Sequence, residues 1–285
     1  MSAQPSPASS GSADVPAACS TTPQWLGQQH WVPFVLPLAV FMLVGYFAPQ
    51  AKPDPLPPET TAQTLPSIEP TAAAQTAVAA GGWRSTYPRV CTLQLAATAL
   101  AMWLVRSAYC SVSWKWHFSA IIYGLGGGLL WILVCRGGLE SQLLNAIGHT
   151  DWVNATARPA FDPLTTFAGS PVGLTVFLAV RFAGLALIVP IIEEFFVRGF
   201  LMRFIMAAEW WAIPLGTVTL ASAITATAYG VLAHPAEWIA ALLWFSLITL
   251  LYARTRNIWD CVIAHAVTNG ILGVYILIWR DWALW

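Results

Sequence analysis

Apolar residues gather along this chain into seven stretches, separated by short polar segments. A helix needs about 20 apolar residues to cross a bilayer. The stretches lie at 31–48, 88–105, 117–135, 172–192, 212–233, 238–252 and 258–279. None shows the period-two alternation of a half-buried strand over a useful length. The pattern predicts an all-α fold, a polytopic transmembrane helical bundle of about seven spans. Pro33 and Pro37 fall in the first turns of the first span, where proline costs least. The third span carries Gly-Leu-Gly-Gly-Gly at 124–128, a composition that lets two helices approach closely.

The polar segments divide the chain. Residues 1–23 are rich in Ser, Ala and Pro and are expected to be disordered. Residues 31–48 form the first transmembrane helix. Residues 49–82 hold seven prolines between Pro49 and Pro70, then Ala, Thr and the pair Gly81-Gly82, and read as a flexible linker. Residues 83–285 form the helical membrane domain, with a polar loop at 136–171. The first 30 residues carry no Lys or Arg, so the positive region of a secretory signal is missing and the first apolar stretch reads as a retained helix.

Composition agrees. Only 9% of residues are charged, 57% are hydrophobic and the net charge is zero. Ordinary soluble domains carry about 25% charged residues. So neutral a chain has no basic surface for nucleic acid, and one so apolar is not disordered throughout. The chain is expected to be an integral membrane protein, with the lipid bilayer as its surroundings. Lys and Arg divide almost evenly between alternate loops, so the positive-inside rule fixes no orientation. Tryptophans near span ends, such as Trp31, Trp114 and Trp210, suit interfacial anchoring. The five cysteines are widely spaced without a CxxC pair and read as free thiols.

Against this background a few polar residues stand out. Glu193 and Glu194 follow the apolar run at 188–192, and Arg198 follows Glu194 by four. His234 ends the fifth span; His265 and Asn269 lie one turn apart in the seventh. A charged residue at a helix centre costs about 2.5–3.5 kcal/mol. Glu194 and Arg198, at i,i+4, share a face and can pair. That pair serves equally as a lock between helices or as site support. Glu193 has no cation at i±3 or i±4, which leaves its carboxylate for chemistry. A carboxylate can take a proton from water, a histidine can share that water or protonate a leaving amine, and a histidine with an amide can stabilise an oxyanion. Arg181, mid-span, needs an acidic partner or a wet cavity. Asp260 is placed to cap or orient the last helix. Glu237, one turn from His234, can orient it.

In order and separation these residues resemble the motifs EExxxR, FxxxH and HxxxN of the CPBP family, the CAAX-protease and bacteriocin-processing (Abi) membrane proteins. They stand here as Glu193-Glu194-Phe195-Phe196-Val197-Arg198, Tyr229-Gly230-Val231-Leu232-Ala233-His234 and His265-Ala266-Val267-Thr268-Asn269. The resemblance covers about 172–280. One departure is that Gly230 occupies the aromatic position of the second motif, with Tyr229 beside it. The flanking residues are most similar to the CAAX prenyl protease-related proteins associated with exosortase (PEP-CTERM) sorting. The resemblance implies an intramembrane glutamate-type endopeptidase without a cofactor. In it Glu193 and His234 activate water, His265 and Asn269 form the oxyanion site, and Glu194 and Arg198 support them. The implied substrate is a membrane-anchored protein or peptide, and the implied location is a bacterial inner membrane. Two other readings remain. Glu193, His234 and His265 are the His₂Glu set of a catalytic zinc, although no HExxH is present. A non-catalytic scaffold or immunity-type protein would keep the same polar cluster for helix packing.

Overall fold

The computed structural model describes residues 30–47, 72–149, 152 and 160–284, with backbone alone over 72–85. The expected tail at 1–23 and most of the linker lie outside the described residues. The described part is all-α, with ten helices and no strand among those residues. They are α1 Val32–Tyr46, α2 Ala72–Leu104, α3 Arg106–Cys110, α4 Phe118–Gly137, α5 Leu139–Ala146, α6 Pro163–Thr166, α7 Pro171–Phe204, α8 Leu220–Ala233, α9 Trp238–Thr255 and α10 Ile258–Trp279.

Four of them, α4, α7, α9 and α10, are long and apolar enough to cross a membrane. Among the described residues, length and composition support four of the seven expected spans. Helices α1 and α8 are apolar but short, at 15 and 14 residues. Helix α8 is short because its expected start is not helical. Residues 212–219 contain Pro214, which cannot continue a helix, and Gly216 at φ 84°. Helix α2 begins at Ala72, inside the stretch composition assigned to the linker, where alanines with high helix propensity outweigh Gly81-Gly82. Cys91, Cys135 and Cys261 are free, whereas Cys110 is disulfide-bonded.

The larger difference is in α7. The expected span ended at 192, with the glutamates at its edge. The helix instead runs 34 residues to Phe204, and Glu193 and Glu194 stand in its interior. Two π-helical turns interrupt it, at Gly184–Ile188 and Phe195–Leu201, on either side of the glutamates. Such turns widen the helix and displace backbone groups from regular pairing, and groups within a bilayer then need other partners. Asn269 Nδ2 on α10 donates to Leu185 O in the first turn at 2.9 Å. Tyr252 Oη on α9 donates to Arg198 O in the second at 3.3 Å. Arg203 Nη1 donates to Gly199 O at 2.8 Å.

Polar residues fix where the other site helices begin. Thr219 and Ser222 form a capping box on α8. Asn257 caps α10 through Trp259 N at 3.1 Å. The buried Glu140 of α5 accepts from Ala240 N, in the first turn of α9, at 3.3 Å. Asp260 does not cap its own helix: Oδ1 accepts from His117 N, so it caps α4 instead. Helix α4 packs tightly on α10. A Cβ added to Gly124 would stand 2.7 Å from Ala264 O, and one on Gly127 would stand 2.9 Å from Trp244 Nε1. Thr268 stitches the three helices, donating to Gly124 O at 2.9 Å and accepting from Trp244 Nε1 at 3.1 Å. His265 lies three residues before this knot.

Candidate active site

The polar residues read from sequence form two layers. Behind lies a fully buried pair: Arg198 Nη1 sits 2.9 Å from Glu194 Oε2, and both side chains are 0% exposed. The i,i+4 spacing survives the π turn. Arg198 also reaches Phe245 O at 3.5 Å, with its guanidinium 5.3 Å from the Phe245 ring centroid. The other oxygen of Glu194, Oε1, accepts from His265 Nδ1 at 3.0 Å. The acid of the supporting pair thus fixes the position of an imidazole on a different helix. A carboxylate holding one ring nitrogen this way sets which nitrogen faces the site.

In front is a cavity of about 310 Å³. Glu193, His234, His265 and Asn269, from α7, the end of α8 and α10, all line it; Glu194 and Arg198 do not. His265 Nε2 stands 3.7 Å from Glu193 Oε2. His234 is the C-cap of α8, and its Nδ1–H donates to Gly230 O at 3.0 Å. A carbonyl can only accept, so the neutral ring carries its proton on Nδ1 and its lone pair on Nε2. Trp131 and Phe245 border that imidazole, at 5.3 and 6.0 Å between ring centroids. Glu237 also lines the cavity and donates its backbone N–H to His234 O at 3.2 Å. Asn269 uses its amide on Leu185 O, and the same NH₂ carries a second N–H.

The departure in the second motif has a spatial counterpart. Phe245 from α9 lies against Gly230, so that a Cβ there would be 2.1 Å from its ring. The aromatic missing from the sequence motif is replaced from the neighbouring helix. Tyr229 lines the cavity, with its hydroxyl within reach of the Glu193 carboxylate. Its ring packs on Phe196 at 5.4 Å and Phe245 at 6.0 Å.

Glu193, His234 and His265 do not gather as a metal site: among the described residues no three His, Cys, Asp or Glu side chains could hold one ion. Arg181 lines the cavity with its guanidinium 5.9 Å from the Tyr87 ring centroid.

Sequence reasoning missed Arg203. It donates to Gly199 O at 2.8 Å, Ile213 O at 2.8 Å and Trp211 O at 3.0 Å, and lies over the Trp210 ring. It ties the loop after α7 to the second π turn. An arginine five residues after Arg198, at the end of an apolar run, was the available signal.

Comparison with known proteins agrees with the motifs. Residues 175–271, which take in all three, match the family model described as Rce1-like, type II CAAX prenyl endopeptidase. The match covers about a third of the chain. No curated protein and no solved structure matches it.

Proposed function

We propose that this chain, whose residues 175–271 match the Rce1-like family model, is a CAAX-protease-like (CPBP) membrane-embedded endopeptidase using a water-activating glutamate. The observation that carries this reading is the shared cavity: a carboxylate, two imidazoles and an amide from three helices line one space, while the buried ion pair stands outside it. In an integral membrane protein such a space admits substrates that are themselves in or at the membrane.

The steps follow from the groups. Glu193 takes a proton from a water that His234 Nε2 also holds, and the hydroxide adds to the scissile carbonyl carbon. Negative charge then gathers on the carbonyl oxygen. In this scheme His265 acts as the imidazolium, with Nδ1–H held by Glu194 and Nε2–H turned to the oxygen, and it and the second N–H of Asn269 are the donors that receive the charge. Glu193 delivers its proton to the leaving amide nitrogen as the C–N bond breaks. Glu194 and Arg198 touch no reacting atom in this scheme and act by placing His265.

The proposed substrate is a membrane-anchored protein or peptide. The likeness around the motifs favours the exosortase-linked sorting systems of bacteria, with the protein in the inner membrane. The test compares the termini of membrane proteins from cells carrying the wild type or Glu193→Gln. Substrate termini that remain uncut only in the variant are expected. Identical termini, together with full biological activity of Glu193→Gln and His234→Ala, would leave the scaffold reading in place of the enzyme.

A further inference from the structure

A carboxylate that turns freely about its last bond meets a bound water in only some of its orientations, so a general base works best when something holds it. For Glu193, His265 is not that holder. Its Nε2 stands 3.7 Å from Glu193 Oε2, beyond hydrogen-bond distance, and in the scheme above its N–H is turned to the oxyanion. Tyr229 lines the same cavity from α8, with its hydroxyl within reach of the Glu193 carboxylate. An ionised carboxylate can only accept, so the phenol is the donor. Its bond occupies one lone-pair site of the two oxygens and leaves the others for water.

The phenol is itself held. Its ring packs at 5.4 Å on Phe196, which stands on α7 three residues after Glu193. Phe245 of α9 meets it edge to face at 6.0 Å, with 70° between the ring planes. Rotation of a phenol ring about its own axis does not move the oxygen, so a packed ring presents the hydroxyl from a fixed point.

The next residue serves the other base. Gly230 O accepts from His234 Nδ1 at 3.0 Å, and a Cβ on Gly230 would stand 2.1 Å from the Phe245 ring. Tyr229 and Gly230 thus reach both groups that share the water, one through a hydroxyl and one through a carbonyl. The departure from FxxxH acquires a use. Phe245 fills the apolar place from α9, and the aromatic of α8, one position earlier, carries a polar atom to the carboxylate.

We propose that Tyr229 is a positioning residue: its hydroxyl donates to Glu193 and turns that carboxylate toward the water held by His234. This rests on the peptidase reading. It is tested on the full chain in lipid nanodiscs, with a dansylated, S-farnesylated peptide ending Cys-Val-Ile-Ala as the probe. Tyr229→Phe keeps the ring and removes only the hydroxyl. It should lower kcat about tenfold to a hundredfold, as for a lost hydrogen bond to a charged group, and leave KM unchanged. O-methyltyrosine at the same position keeps the oxygen and loses the donated hydrogen, and should behave as Tyr229→Phe does. An unchanged kcat in Tyr229→Phe overturns the proposal. So does a raised KM with kcat unchanged, which would put the hydroxyl on the substrate instead.

Infrared spectra give a readout that needs no cleavage. The carboxylate stretch that disappears in Glu193→Gln should shift in Tyr229→Phe, because the anion has lost a charge-assisted hydrogen bond. An unshifted band overturns the proposal. Should Tyr229→Phe not fold, the O-methyltyrosine variant supplies both readouts. The two readings fail separately. A shifted band without cleavage by the wild type upholds the hold of Tyr229 on Glu193 and removes the peptidase. Cleavage by the wild type with an unshifted band keeps the peptidase and removes the role of Tyr229.

Discussion

Glu193 and Glu194 are neighbours in sequence with opposite surroundings. Glu193 faces the cavity, while Glu194 is 0% exposed between Arg198 and His265. Their isosteric variants should therefore fail in different ways. Glu193→Gln is expected to lower kcat by roughly 10²–10⁴-fold with an unchanged melting temperature, as for loss of a general base. Glu194→Gln leaves Arg198 charged and unpaired in a dry interior, and is expected to cost about 3–5 kcal/mol, read as a lower midpoint of thermal unfolding in detergent. Equal loss of stability in the two would remove the distinction between reacting and supporting carboxylates. Much of this was legible from spacing, because i,i+4 on a helix sets a face whatever the surroundings. The link from Glu194 to His265 was not, because it joins residues 71 apart through packing. Nor was Phe245, which takes the place beside Gly230 from another helix.

Helix α4 is held to its neighbours through bare backbone. At Gly124 a side chain would meet Ala264 O and Val267, while Gly126 on the same helix has nothing within 4 Å. Gly124→Val is expected to destabilise by about 1–3 kcal/mol. Gly126→Ala should be neutral or stabilise by up to about 1 kcal/mol through helix propensity. Thermal unfolding of the pair checks this, and equal effects would mean that helix propensity rather than close packing governs α4. The glycine run announced this contact in the sequence. The π turns of α7 did not announce themselves, because hydropathy registers apolar length and is blind to turn width. The expected span stopped at 192 because Glu193 and Glu194 end the apolar run, while the helix continues to Phe204. The start of α8 was misplaced for a related reason: residues 212–219 are apolar, yet Pro214 and Gly216 shape them into a loop held by Arg203 and by Tyr252 Oη on Gly216 N at 2.8 Å.

At the scale of the whole molecule, sparse charge and apolar helices made the membrane class plain from composition. The number of spans was not, since 14- and 15-residue helices are apolar without reaching the length of a bilayer core. The protein is expected to stay with the membrane through alkaline carbonate extraction. Appearance in the supernatant would contradict four crossing helices. Its activity should survive a strong chelator such as EDTA, in line with side chains that do not gather around an ion. Loss of activity that zinc restores would overturn the metal-free scheme.

The cavity has one further consequence. Its proposed reacting groups all come from residues 193–269, inside the stretch that matches the Rce1-like family model, but Leu38, Phe41 and Met42 of α1, with Trp131 of α4 and Leu272 and Ile276 of α10, line it from outside that stretch. On the proposed reading, the reacting groups lie inside that stretch while part of the surface that meets a substrate lies outside it. Substitutions at Leu38, Phe41 and Met42 are therefore expected to reshape the chamber while leaving the proposed reacting groups in place.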